Sequence, residues 1–173
     1  MMTGDEYRES LDDGRQTFFE GKQVTDLAGH EILGITVDMA ARGYDRFYNP
    51  QPGAVGEFMK VPASTKELRE QVELHETVDL LTHVTYASIM TLLTAADRIE
   101  PDLPDNARRI REYVNDAQKR DVRITQCITD AKGDRSRRAG NQDDPDAYCR
   151  IVERRADGIV IRGAKLHISA ASM

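Results

Sequence analysis

The spacing of apolar residues changes once along this chain. Up to about Asp121 they recur three and four positions apart, the helical period; beyond it they cluster in short extended runs. Thr3 with Glu6 three positions on forms a capping box, which predicts a short helix to about Asp13. Thr17 to Val24 reads as two short extended pieces turning at Glu20-Gly21. A second helix is expected from His30 to Tyr48, with Ile35, Met39, Tyr44, Phe47 and Tyr48 near helical spacing. Asn49-Pro50-Gln51-Pro52-Gly53 ends it, because proline lacks a donor and biases its predecessor away from the helical region. Ser64 and Glu67 form another capping box. It opens a helical stretch to about Ile99, broken near Thr77, whose apolar face is Leu74, Val78, Leu81, Val84, Ile89, Leu92 and Leu93. After a loop from Pro101 to Pro104, Asp105 is expected to cap a helix from Asn106 to Arg120. That helix packs through Ala107, Ile110, Val114 and Ala117.

Past Asp121, Val122, Ile124 and Ile128 predict a strand. A charged, glycine-containing loop follows from Arg135 to Asp146. Tyr148 to Arg155 and Ile159 to Ser169 are extended runs joined at Ala156-Asp157-Gly158, and Asp-Gly between such runs signals a hairpin. The fold class is therefore α+β: a helical region over residues 1–121, then a partial antiparallel β domain over 122–173. Two or three strands are marginal alone, so helices or further strands should cover them.

Composition narrows the function classes. The 173 residues are 39% hydrophobic and 31% charged, enough for a core. No apolar run approaches the roughly 18 residues of a membrane span, and the acidic start Met1-Met2-Thr3-Gly4-Asp5-Glu6 is unlike a signal peptide. A net charge of -6 argues against a nucleic-acid partner. Cys127 and Cys149 form no C-x-x-C motif and read as buried free thiols of a cytoplasmic protein.

Glycine-rich nucleotide loops, H-E-x-x-H and G-x-S-x-G are all absent. His30, His75, His83 and His167 read as packing or surface residues, since a metal site needs three convergent ligands; no metal is expected. Arg135-Ser136-Arg137-Arg138 is either a phosphate grip or a solvated loop. The segment Cys127-Ile128-Thr129-Asp130-Ala131-Lys132-Gly133-Asp134-Arg135 carries the most chemistry. Its glycine is free to take positive φ, and backbone N–H groups with the Thr129 hydroxyl could bind the polar edge of a heteroaromatic ring. An ordinary acidic turn is the alternative.

Four segments resemble the 4-hydroxyphenylacetate 3-hydroxylase and 4-hydroxybutyryl-CoA dehydratase family of flavoproteins, in its N-terminal part. They are Thr3 to Leu11 with Asp13-Gly14-Arg15; the early hairpin; Ile128 to Ser136 with Gln142 to Asp146; and Arg150 to Lys165. The last two also echo flavin-contacting stretches of acyl-CoA dehydrogenases, which share the general fold. The resemblance implies FAD, or reduced FAD delivered by a reductase, between a β domain and flanking helices. It places Ile128, Thr129, Asp130, Lys132, Gly133, Asp134, Arg135, His167, Ile168 and Ser169 at the cofactor. Polar donors there would stabilise the reduced, more anionic flavin. The implied activity is an aromatic flavin monooxygenase, with a dehydratase acting on an acyl-CoA as the alternative, or a non-catalytic interaction subunit.

Substrate positions depart from both branches. The hydroxylase histidine shortly before the flavin turn is replaced by Gln126, and the dehydratase cysteines have no counterpart between Glu73 and Leu93. His83 and Tyr86 are the candidate replacements, with plain packing as the alternative. Family members continue well beyond this length. A homo-oligomer, or a complementary C-terminal chain completing the β domain, is therefore expected.

Overall fold

The computed structural model describes residues 1–131 and 133–173. They form two compact units, one of residues 1–125 with Ser172 and Met173, the other of residues 126–171.

The first unit opens with helix α1 (Gly4–Ser10), held by the expected capping box. Thr3 Oγ1 accepts the Glu6 N–H at 3.2 Å, and Glu6 Oε2 accepts the Thr3 N–H at 2.7 Å. The helix stops before Asp13, where a carboxylate tied to Arg15 and a left-handed Gly14 (φ +83°) lead the chain away. The hairpin follows as strands β1 (Thr17–Phe19) and β2 (Lys22–Val24), antiparallel about Glu20-Gly21. Helix α2 (Leu33–Phe47) is three residues shorter at its start than its pattern suggests, because the His30 ring accepts the Ile32 and Leu33 N–H groups ahead of it. Gly4 sits against α2, where a Cβ would lie 2.6 Å from the Ala41 carbonyl oxygen.

The long helical stretch divides as expected, into α3 (Thr65–His75) and α4 (Leu80–Ile99). Ser64 caps α3, while the Glu67 carboxylate reaches the Ala63 N–H, one residue short of closing the box. Asp79 caps α4 through the Thr82 N–H at 2.9 Å. Helix α5 (Pro104–Lys119) starts on a proline with no side-chain cap. Asp105 lies in its first turn, where it favours the helix dipole rather than capping.

The core joins Phe58 and Met59, on a short 3-10 turn, to Ile89 of α4 and Val114 of α5. Beside it a charge is buried. The Arg123 guanidinium stands 3.8 Å from the ring centre of Tyr44 and 4.2 Å from that of Phe58, paired to Asp121 at 3.0 Å. The two side chains are only 4% and 1% exposed, so the pair is desolvated; aromatic faces and hydrogen bonds must offset that cost. Asp121 also accepts the Met2 N–H at 3.1 Å, and its carbonyl accepts the Tyr44 hydroxyl at 3.2 Å. Tyr44 in turn stacks on Tyr7.

This arrangement explains why Val122 to Ile128 forms no strand. Asp121 turns left-handed (φ +55°), and the Ile124 N–H goes to Thr85 Oγ1 on α4 at 2.9 Å instead of to a ladder. Of the apolar residues that mimic a strand, Ile124 packs on the helical core, while Ile128 is exposed in the second unit.

The second unit contains strands β3 (Arg150–Arg154) and β4 (Ile159–Arg162), antiparallel, with Ile151 opposite Ile161 and a bulge between Ile151 and Glu153. Its turn closes from the Arg155 N–H to the Gly158 carbonyl at 2.8 Å. The second extended run stops at Arg162, well before Ser169. Gly163 breaks it at φ +140°, with a would-be Cβ 2.5 Å from Cys149 Cα. Cys149 is half-buried and Cys127 exposed, so neither is the buried thiol expected.

Candidate functional site

Two segments of the second unit lie side by side. The Leu166 N–H donates to the Thr129 carbonyl at 2.8 Å, and Asp130 pairs antiparallel with Lys165 across a single bridge. The Ala131 N–H completes the pairing at the Ala164 carbonyl. Lys165 Nζ meets Asp130 Oδ1 at 2.7 Å, and the same oxygen accepts the Cys149 N–H at 3.1 Å. The lysine ammonium and that N–H hold the Asp130 carboxyl below its ordinary range. Asp130 therefore fastens three stretches of chain together. Ile128 beside it is 72% exposed, Thr129 is half-buried, and its hydroxyl has no partner among the described residues. His167 follows the bridge in a left-handed conformation (φ +56°), then Ile168, half-buried, and Ser169, exposed.

Gly133 to Gln142 forms a closed loop. Asp134 accepts the N–H and hydroxyl of Ser136 at 2.9 and 2.7 Å, which keeps its carboxyl ionised below the usual range. Arg137 bridges Asp134 and Asp143, whereas Arg135 makes no ion pair among the described residues. At Gly133 the Gln142 carboxamide occupies the space a Cβ would take. Lys132 lies outside the described residues. A pocket of about 380 Å3, lined by Gly140, Gln142, Tyr148, Cys149 and Arg150, adjoins this loop.

The candidate substrate residues belong to the helical unit. His75 at the end of α3 stacks on Tyr86 of α4 with ring centres 4.2 Å apart, and meets His83 edge-on at 5.6 Å. Both His75 nitrogens are buried without a hydrogen bond among the described residues; burial and the neighbouring His83 lower its pKa. Burial raises that of Tyr86. Gln126 is half-buried at the start of the second unit. Among the described residues no group of three or more histidine, cysteine or carboxylate side chains could hold a metal. A helical-unit groove of about 930 Å3 along α3, lined by Lys60, Glu67, Glu70 and Leu74, contains none of the candidates.

Sequence reasoning missed Gln142, the fastening role of Lys165, and the Arg123–Asp121 pair. A charge alternation could have suggested Asp130 with Lys165. Nothing local marks Gln142, nine positions from its glycine.

The chain matches the family described as 4-hydroxyphenylacetate 3-hydroxylase N terminal over residues 3–173. It belongs to that family. Among curated relatives, the 4-hydroxybutyryl-CoA dehydratase/vinylacetyl-CoA-Delta-isomerase of Clostridium aminobutyricum is 26% identical over 96% of this chain and 38% of its own. The oxygenase component of a Rhodococcus 4-nitrophenol 2-monooxygenase is 28% identical over 95% and 35%. The oxygenase component of 4-hydroxyphenylacetate 3-monooxygenase, solved with FAD and 4-hydroxyphenylacetate, superposes with a TM-score of 0.72 at 21% identity, over 95% of this chain and 38% of that one. The last likeness establishes the fold. The chain thus spans little more than a third of the length of these family members.

Proposed function

We propose that this chain is the N-terminal portion of an FAD-dependent oxidoreductase, a flavin monooxygenase that hydroxylates an aromatic substrate with reduced flavin and oxygen. One observation carries the reading. The two segments that resemble flavin-contacting stretches, Thr129 to Asp134 and Gly163 to Ser169, run side by side where residues 129–131 meet 164–166, clamped by Asp130 and Lys165. The surface there suits a flat ring with a polar rim: exposed Ile128 offers an apolar face, and the hydroxyls of Thr129 and Ser169 offer donors.

FAD, when bound, supplies the electron transfer and the oxygen chemistry. The chain's own contribution is to hold and orient. Asp130 and Lys165 neutralise each other, so they fix the backbone without placing a net charge against the cofactor. Thr129 and Ser169 can donate to the ring's carbonyl edge, where reduction concentrates negative charge. Arg135, without an ion pair among the described residues, is available for a phosphate oxygen. A separate flavin reductase, cytoplasmic location and a homo-oligomer belong to the same reading.

The match to the Clostridium enzyme favours a second reading, a dehydratase-like protein acting on an acyl-CoA. The absence of cysteine between Glu73 and Leu93 weighs against it.

The second unit also calls for cover. Ile151, Ile159 and Ile161 are 41 to 61% exposed on the hairpin. Strands of a further polypeptide, matching the rest of the family members' length, would bury them. Co-expression with such a polypeptide should yield a yellow complex with an oxidised-flavin absorption band. A well-folded, colourless complex, still colourless after FAD is added, would contradict the proposal.

A further inference from the structure

We infer that Gln142 is a positioning residue for the cofactor turn, an inference that rests on the FAD reading above. Its carboxamide spends every bond on one peptide loop. Oε1 accepts the Asp134 N–H at 2.7 Å; Nε2 donates to the Asp134 carbonyl at 3.0 Å and to the Arg138 carbonyl at 3.2 Å. The two bonds to Asp134 copy the exchange between paired residues of an antiparallel ladder. A side chain here does the work of a missing strand.

The carboxamide sits in the space that a Cβ at residue 133 would take. A Cβ there would collide with Gln142 Oε1 and Cδ. Gly133 and Gln142 are therefore one device, a lock read from two sides. It fixes the peptide between Gly133 and Arg135, while the Asp134 carboxylate fixes Ser136 and Arg137 one turn on. The consequence is that Arg135 projects from a loop already ordered, and little conformational freedom remains to be lost when it meets an anionic group. Gln142 touches no cofactor in this account. It acts through the turn.

The test is a double-mutant cycle on the holoprotein, with FAD as the probe. Gln142→Leu removes all three bonds; Gly133→Ala evicts the carboxamide by sterics. Each alone should weaken FAD binding about tenfold, the scale of one or two lost hydrogen bonds. The double variant should be no weaker than either single, because the lock is already open. In the unliganded protein, amide exchange at residues 133–136 should accelerate in both variants while exchange in α4 and α5 stays unchanged. The bound-flavin spectrum should shift, which a loss of fold alone would not produce. If Gln142→Leu does not fold, Gln142→Glu keeps the acceptor but sets an anionic oxygen against the Asp134 and Arg138 carbonyls, and should give a loss of the same kind, at least as large. A wild type that takes up no FAD overturns the underlying reading and this inference with it. A wild type that binds FAD, with variants that bind equally or with effects that multiply in the double variant, overturns the lock alone.

Discussion

The helical unit and the hairpin unit are stabilised in opposite ways. In the first, Phe58, Met59, Ile89 and Val114 are buried, and even a guanidinium is enclosed between two aromatic rings. In the second, no described residue is buried, and order comes from ion pairs and side-chain hydrogen bonds such as Asp130–Lys165 and Gln142–Asp134. Apolar burial sustains a fold unaided, whereas exposed polar contacts mostly select one conformation of a chain that other surfaces must cover. The candidate cofactor segments lie in the unit of the second kind.

That contrast can be broken at several points. The largest effect belongs to Arg123→Ala, which leaves the Asp121 charge buried without its partner. It should destabilise the helical unit by about 3–5 kcal/mol in urea unfolding followed by helix signal. A loss below about 1 kcal/mol would mean that water already reaches the pair. Next is Thr85→Val, which deprives the Ile124 N–H of its acceptor at nearly constant volume. A cost of about 1–3 kcal/mol is expected in the same assay. In the hairpin unit, Ile151→Lys with Ile161→Lys should change helical-unit stability by less than about 0.5 kcal/mol and suppress self-association of the isolated chain in light scattering. A chain that is monodisperse before the change would remove the argument for missing cover.

The smallest effect is a pH dependence. His75 has a folded-state pKa below its ordinary value of 6.5, from burial and from His83. The unfolded chain therefore binds the proton more readily, and stability is lost as pH falls from about 6.5 through the lowered folded-state value. Melting of the wild type should decline over that interval, and His75→Leu should flatten the slope. An unchanged slope would assign the acid sensitivity to other groups.

Helix positions and both hairpins were legible because capping residues, helical periodicity and Asp-Gly turns are local signals. The strand expected from Val122 to Ile128 was not, because Ile124 serves packing on α4 and α5, and only the Thr85 hydroxyl reveals where its N–H goes. The chemistry of residues 127–135 was visible as a motif. Its geometry was not, since Asp130 depends on Lys165, thirty-five residues away, and Gly133 on Gln142. Family resemblance connected what spacing could not.

The most direct test compares amide exchange of the co-expressed complex with and without FAD. Binding should protect residues 128–135 and 163–169 together, within one unit. Undiminished exchange in both segments, with protection confined to the helices, would contradict the account.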